Sequence, residues 1–386
     1  MMNLDRRFFI KSLGLLGGAS FVQNVNANEL ELAETAFKFA TLPYLQNLTE
    51  QHITICCVLS SPGIAWVDIL KDDGTLSHKI YEVVDGIRNA RAEVFKFKVP
   101  HQGADFKYRV GAKGPGGLEI SSEVINTKLP IDNKSTCDVL ILNDIHEDRS
   151  SYSYLYNKTA LNHKDLVIIN GDSFHYIMKQ SDVTDKMLDP IAKAFASQVP
   201  FVMVKGNHDN RGSFIRHLKN YYDLPNNKFY QAFTVGPVLW IILDGGEDKE
   251  DEHEALRGEY EFDNYRLEQR AWLTGIMQSK MRKKAKHIIV VNHFPFFHSD
   301  EYHGTVHNRT SFHDILEKYK VDAVIGGHSH EFGFYPPDAN HNYHVIIGGG
   351  PEKDNRTMIE VAAIDQKLVV NLRRENGELV NALQKG

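Results

Sequence analysis

Two patterns of apolar and polar positions divide the chain. Between residues 37 and 128 apolar residues alternate with polar ones in short runs broken by turn signals. The run 51–58 reads as a strand, Ser60-Ser61-Pro62-Gly63 as a turn, 65–70 as a strand and Asp72-Asp73-Gly74 as a hairpin turn. Further strands are expected over 92–99, 106–110 and 119–122. No helical period interrupts them, so this stretch is expected to be a β-sandwich of roughly seven strands. After a polar join from Leu129-Pro130 to Ser135 the pattern changes. Apolar runs at 139–142, 166–169, 201–204, 238–243, 288–291 and 323–325 alternate with amphipathic stretches such as 185–198, 266–278 and 312–319. That alternation predicts an α/β domain over residues 136–375, closing with a hairpin around Asp365-Gln366.

Composition narrows the possible functions. The chain has 386 residues, enough for two domains, and 42% hydrophobic content supports an ordinary core. A net charge of -6 without a long basic run argues against a nucleic-acid surface. Three cysteines, Cys56, Cys57 and Cys137, have neither zinc-ligand spacing nor an even-numbered disulfide framework, so they are expected to be small buried hydrophobes. The 19 histidines are a raised count that suits a metal protein. The acidic run from Glu247 to Glu254 is expected to be a solvated loop.

At the amino end, Arg6-Arg7-Phe8-Phe9-Ile10-Lys11 resembles the twin-arginine export signal, with Ile10 in the usual Leu position. A mild, glycine-rich apolar stretch follows over 12–22, too short for a stable membrane span, and Val25-Asn26-Ala27 offers small residues for cleavage after Ala27. The resemblance implies a signal peptide over 1–27, passage through the twin-arginine translocase, no membrane attachment after cleavage, and a periplasmic or extracellular product.

The chemistry gathers where the apolar runs stop. After 139–142 stands Asn143-Asp144-Ile145-His146, and after 166–169 stands Asn170-Gly171-Asp172-Ser173. After 201–204 comes Lys205-Gly206-Asn207-His208-Asp209, with Gly206 expected to turn the backbone sharply. After 288–291 comes Asn292-His293, and after 323–325 comes Gly326-Gly327-His328-Ser329-His330. Ligand sites of open α/β sheets lie at the carboxyl ends of strands, so the five sets should meet in one crevice. Residues i and i+2 of an extended strand share a face, which would aim Asp144 with His146, and His328 with His330, at common points. Carboxylates, imidazoles and an amide oxygen without thiolate suit Mn, Fe or Zn. Two such cations about 3.5–4 Å apart clamp phosphate oxygens and activate a shared water.

In this order, Asp-x-His, Gly-Asp, Gly-Asn-His-Asp, His and Gly-His-x-His, the chain resembles the calcineurin-like metallophosphoesterase superfamily over roughly residues 137–350. The resemblance implies a metallophosphoesterase fold, a β-sandwich core flanked by helices. It also implies two divalent metal ions, one held by Asp144, His146 and His330 and the other by Asn207, His293 and His328. Asp172 would bridge them, and a bridging hydroxide would be the nucleophile. His208 matches the imidazole near the leaving group, Asp209 would orient it, and Arg211 would either contact a phosphate oxygen or form a surface salt bridge. Residues 37–128 resemble the fibronectin type III-like domain of purple acid phosphatases, including an opening such as Leu42-Pro43-Tyr44-Leu45-Gln46-Asn47. Two features depart from that family. His146 replaces a glycine, and His175 stands where the iron-binding tyrosine belongs, so a colourless enzyme is expected. The expected function is an exported hydrolase of small-molecule phosphate esters, first a phosphomonoesterase. Alternatives are a phosphodiesterase or nucleotide pyrophosphatase, with Phe174, His175, Tyr176, Phe296, Phe297, Tyr302 and His303 either stacking on a leaving group or packing a lid, and a non-catalytic surface-binding protein.

Overall fold

The computed structural model describes residues 37–101, 103–130 and 135–386; the export signal over 1–27 lies outside them. Residues 37–126 form short strands organised around one long strand, His52–Leu70. Its first half pairs with Tyr44–Gln46 and Ala92–Pro100, and its second half with Leu76–Ile80 and Lys107–Lys113, all antiparallel. The expected turn over Ser60-Ser61-Pro62-Gly63 does not form. The strand runs through it, and only the register against Ala92–Pro100 slips, between Val58 and Gly63. Pro62 cannot donate to a ladder, and the slip places it where the strand leaves one partner for another. The hairpin at Asp72-Asp73-Gly74 forms as expected, with the Asp73 Oδ1 accepting from the Thr75 N–H at 2.9 Å.

Period-two alternation gives the long strand two buried faces. Ile53, Ile55, Cys57 and Leu59 enter the amino-terminal core with Phe95, Phe97 and Val110. Cys56 and Val58 face the other way and join Tyr44, Leu140, Leu142, Phe201 and Tyr222 in a second core. Polar ties cross the same junction. The Tyr44 hydroxyl donates to Tyr221 O at 2.7 Å, the Tyr108 hydroxyl to Ser197 O at 2.7 Å, and the Thr54 hydroxyl to Asp223 Oδ2 at 2.6 Å. All three cysteines are free and buried, as expected.

Residues 135–386 build two six-stranded sheets. The first runs Phe201–Val204, Leu166–Asn170, Thr136–Leu142, Thr357–Ile364, Lys367–Arg374, Leu379–Lys385, with the first three strands parallel. The second runs Gln231–Val235, Val238–Ile242, His287–Val291, Ala323–Gly326, His344–Ile347, Gly333–Tyr335, with the middle four parallel. Val139, Ile141 and Ile168 of the first sheet pack against Trp240, Ile242, Ile289 and Val291 of the second. The opposite faces bury Leu140, Leu142, Val167 and Ile169 with Met187, Ile191 and Phe195 on one side. On the other side they bury Leu239, Ile241 and Val290 with Leu273, Phe312 and Leu316. The result is helix, sheet, sheet, helix.

Two expected helices are longer at their amino ends, Phe262–Gln278 and His303–Tyr319. The third starts earlier, at Gln180, and contains two wide π-type turns, Thr184–Leu188 and Ala192–Ala196, on either side of Pro190. Proline removes one donor from the helix interior, and a widened turn accommodates its ring. The helix Arg149–Lys158 was not expected; it is polar apart from buried Tyr152 and Leu155, and its amino end is capped by Asp148, which accepts from Ser150 N at 3.2 Å.

Candidate metal centre

Five loops converge at the carboxyl ends of both sheets. Three come from the first sheet, carrying Asp144 and His146, Asp172, and Asn207 with His208; two come from the second, carrying His293, and His328 with His330. The loops continue the sheet ladders past the strand ends. Asp144 N donates to Gly171 O at 3.1 Å and His146 N to Asp172 O at 2.8 Å, while Gly327 N donates to His293 O at 2.9 Å.

The expected strand-like alternation does not aim these side chains. Asp144 has φ 51°, His146 44°, Asp172 49°, His328 68° and His330 58°. All five sit in the left-handed region, which non-glycine residues adopt rarely and at a cost. Alternate left-handed residues turn the chain back on itself, and that is what points i and i+2 inward. Gly206 is needed for space rather than for a sharp turn. It does not have positive φ, and a Cβ there would lie 2.2 Å from Asp172 Oδ1. A Cβ on Gly327 would lie 2.2 Å from Asp144 Oδ2.

The side chains form two groups that share one carboxylate. Asp144, His146, Asp172 and His330 offer ligand atoms within 4.8 Å of one another, and so do Asp172, His293 and His328. Asp172 Oδ2 stands 3.5 Å from His146 Nε2 and 3.3 Å from His293 Nε2, between the groups. His146 Nε2 and His330 Nε2 are 2.9 Å apart, and His330 Nε2 is 3.5 Å from Asp144 Oδ1. Asn207 Oδ1 joins the second group at 3.1 Å from His328 Nδ1. The seven expected ligands are thus brought together in the expected two sets.

The cluster fits cations. His293 is fully buried, and its Nδ1 faces Asn170 O at 3.0 Å, a donating geometry that leaves Nε2 facing the acids. That Nε2 has no hydrogen-bond partner in the structure. Burial opposes a charged His293, but Asp172 and Asp144 outweigh it and push the imidazole up to about 10. Burial pulls His146 down to about 4 against the same two carboxylates. Two buried acids that favour positive charge beside them, together with imidazoles whose charged form burial disfavours, are a donor set suited to dications.

Asp209 does not orient His208. Its carboxylate accepts from the backbone N–H of Gly206 (2.8 Å), Asp172 (2.9 Å), Ser173 (3.1 Å) and Phe174 (3.3 Å), so it fixes the loop that presents Asp172. Burial, then the Asp172 charge, push it up to about 7. His208 stands at the rim, its Nδ1 3.3 Å from His175 O and its ring centroid 5.0 Å from that of His146. Arg211 reaches His208 Nε2 at 3.2 Å, and of its two expected roles it makes the salt bridge, though a largely buried one rather than one at the surface. Its guanidinium is gripped by Glu247, at 2.9 Å from Nε and 2.6 Å from Nη2, and Glu247 is 1% exposed. The acidic run therefore begins with a buried anchor. The one available signal was position, since Glu247 follows a strand end of the second sheet as the ligands do. His175, expected only as a flanking ring for a leaving group or a lid, lies against the centre itself, its Nδ1 3.2 Å from His146 Nδ1. Phe174 and Phe296 are core residues, whereas Tyr176 and Tyr302 are exposed. Tyr302 stands beside His328, ring centroids 6.5 Å apart.

The sequence profile of the calcineurin-like phosphoesterase family matches residues 138–332, just over half of the chain. Probable purple acid phosphatase 20 of Arabidopsis thaliana is 26% identical over 200 residues, which span 46% of this chain and 43% of that protein. The solved purple acid phosphatase PPD1 from yellow lupin (Lupinus luteus) shares the fold at a TM-score of 0.66 and 16% identity, over 89% of this chain and 73% of that one. The structure of PhoD does so at 0.62 and 12%, over 91% and 89%.

Proposed function

The chain belongs to the calcineurin-like phosphoesterase family and is a metal-dependent phosphoester hydrolase; from that premise we propose a dinuclear phosphomonoesterase acting on small phosphate esters. The observation that carries this is the pair of ligand groups sharing Asp172, with His208 beside them. Asp144, His146 and His330 would hold one divalent ion, Asn207, His293 and His328 the other, and Asp172 both; Mn, Fe and Zn suit the donors. Bound there, such ions supply Lewis acidity toward a phosphoryl oxygen and a water of lowered pKa. The chain's own residues do the rest. Asp209 and the Gly206 gap hold the Asp172 carboxylate in place. His208 offers a ring nitrogen to the leaving-group oxygen, steered by His175 O and by Arg211. Arg211 is itself fixed by Glu247.

Phosphodiester hydrolysis is the second reading, and one feature favours it. Of the three arginines that could receive a phosphate dianion, Arg211 is paired with Glu247 and Arg309 with Glu301, which leaves only exposed Arg149 without an ion pair among the described residues. Tyr176 and Tyr302, both exposed, suit a second organic group. A chelated chain reloaded with Mn, Fe or Zn is assayed on a chromogenic phosphomonoester and its diester. Faster turnover of the monoester supports the first reading and faster turnover of the diester the second. No turnover by chain that holds two ions supports a non-catalytic binding protein.

Export rests on Arg6-Arg7 and the apolar stretch after them. Among the described residues no helix is long and apolar enough to cross a membrane. Retention of an Arg6→Lys/Arg7→Lys chain in the cytoplasm would support the twin-arginine route. The strands of residues 37–126 suit a fibronectin type III-like domain, here serving as a wall of the molecule rather than a separate binder, since one face is buried in the shared core.

A further inference from the structure

Among the described residues one other cluster of metal-ligating side chains shares no member with the centre above: His298, Asp338 and His341. His298 lies in the loop that leaves His293, and Asp338 and His341 lie in the connection between Gly333–Tyr335 and His344–Ile347. We propose that these three side chains form a separate zinc site that staples the His293 loop to this connection.

Each side chain is already turned toward a common point by its other atoms. His341 is 1% exposed, and its Nδ1 meets Tyr343 O at 2.7 Å. That contact requires the proton on Nδ1 and leaves the Nε2 lone pair facing His298 Nε2 at 2.9 Å. Asp338 Oδ1 accepts from Asn340 N at 2.7 Å and His341 N at 3.2 Å, which leaves Oδ2 facing the two imidazoles at 3.6 Å and 3.8 Å. His298 has φ 62°, the same left-handed backbone as five members of the main centre, and its ring lies flat on Tyr335 with centroids 3.9 Å apart. Outer contacts that fix tautomer and ring orientation are what metal-ligating histidines have.

The spacing also fits. A tetrahedral zinc with bonds of about 2.0–2.1 Å keeps its ligand atoms about 3.3 Å apart. The edges here, 2.9, 3.6 and 3.8 Å, bracket that value and match the 2.9–3.9 Å edges among Asp144, His146 and His330. Two imidazoles and a carboxylate without thiolate suit zinc, with one position left to water. Competing neutralisation is absent, because no lysine or arginine among the described residues pairs with Asp338. Asp263 makes the contrast. It faces His303 and His307, but Arg266 already neutralises it at 2.7 Å.

The test is a zinc count on the full chain, stripped with a chelator, reloaded with Zn2+ and desalted. His298→Gln and Asp338→Asn alter exposed side chains and leave buried His341 intact, so folding is not at issue. Each is expected to hold one zinc fewer than wild type. In an Asp172→Asn background, which empties the main centre, one zinc should remain and vanish when His298→Gln is added. Co2+ in place of zinc should give tetrahedral absorption bands in Asp172→Asn that His298→Gln abolishes. Equal zinc counts in wild type, His298→Gln and Asp338→Asn would overturn the site. A failure of the main centre would show elsewhere, as an unchanged count in Asp172→Asn.

Discussion

The two sheets contribute unequally to the centre. The first supplies both ligand carboxylates, Asp144 and Asp172, with His146 and Asn207; the second supplies imidazoles alone, His293, His328 and His330. The second sheet does present a buried acid at the same level, Glu247, but that acid is committed to Arg211. One sheet therefore carries the acids that attract cations, and the other carries imidazoles, with Glu247 anchoring the Arg211 that reaches His208. Each ligand group draws on both sheets, so each ion would tie them together. Substitution of Asp172 on the first sheet should then remove both ions, and substitution of a ligand on the second sheet only one.

Asp172→Asn is the largest test. It removes the carboxylate common to both groups, so elemental analysis should find both ions lost. Turnover should fall toward the uncatalysed rate, a loss of at least about 10⁶-fold for an enzyme of ordinary power. Retention of both ions of the centre in this variant would break the comparison. Next comes His328→Asn on the second sheet. Of the centre's two ions one should be lost and one kept, with kcat down about 10²–10³-fold, the scale of losing one stabiliser of developing charge. Loss of both ions would show that the sheets are not unequal after all.

Asp209→Asn sharpens the same point at one remove from the ions. The side chain touches no ligand atom, yet it fixes the backbone of Asp172, Ser173 and Phe174. Loss of such an orienting group costs about 10–100-fold in metal affinity. Titration of apo protein with Zn2+ should show that weakening, with kcat restored at saturating metal. An unchanged affinity together with a lowered kcat would instead return Asp209 to a role at His208.

These contrasts show where the sequence was legible. The parallel strands were, because runs such as Val167, Ile168 and Ile169 are apolar on both faces and the polar residues after them are conspicuous. The ligand groups were, because each residue type occurs at a strand end. Backbone conformation was not, since nothing in Asp144-Ile145-His146 announces two left-handed residues. Nor was the partner of Asp209, because adjacency in sequence favoured His208 while the actual partners lie in a loop brought in by the fold. Glu247 was hidden in an acidic run, and its partner Arg211 is 36 residues away. The helix Arg149–Lys158 was missed because three buried residues do not make a visible stripe.

Glu247→Gln has the smallest expected effect and bears directly on the second sheet. The carboxylate is buried, and burial pushes it up to about 7 even though Arg211 pulls the other way. Charge and geometry are separable here, because glutamine keeps the shape and one acceptor oxygen while removing the charge. Arg211 would retain Asp248, at 3.5 Å, as its remaining acidic partner. An under-paired guanidinium in a mostly buried position costs about 1–3 kcal/mol, readable by urea denaturation. Both ions should stay, since neither Glu247 nor Arg211 belongs to a ligand group. The double variant Glu247→Gln/Arg211→Met should recover part of the lost stability, because it removes the orphaned charge as well. Its kcat should fall below that of wild type, because His208 has then lost the guanidinium that steers it. Full recovery of stability and kcat together would mean that the Arg211 and Glu247 pair only packs the second sheet and does nothing for the centre.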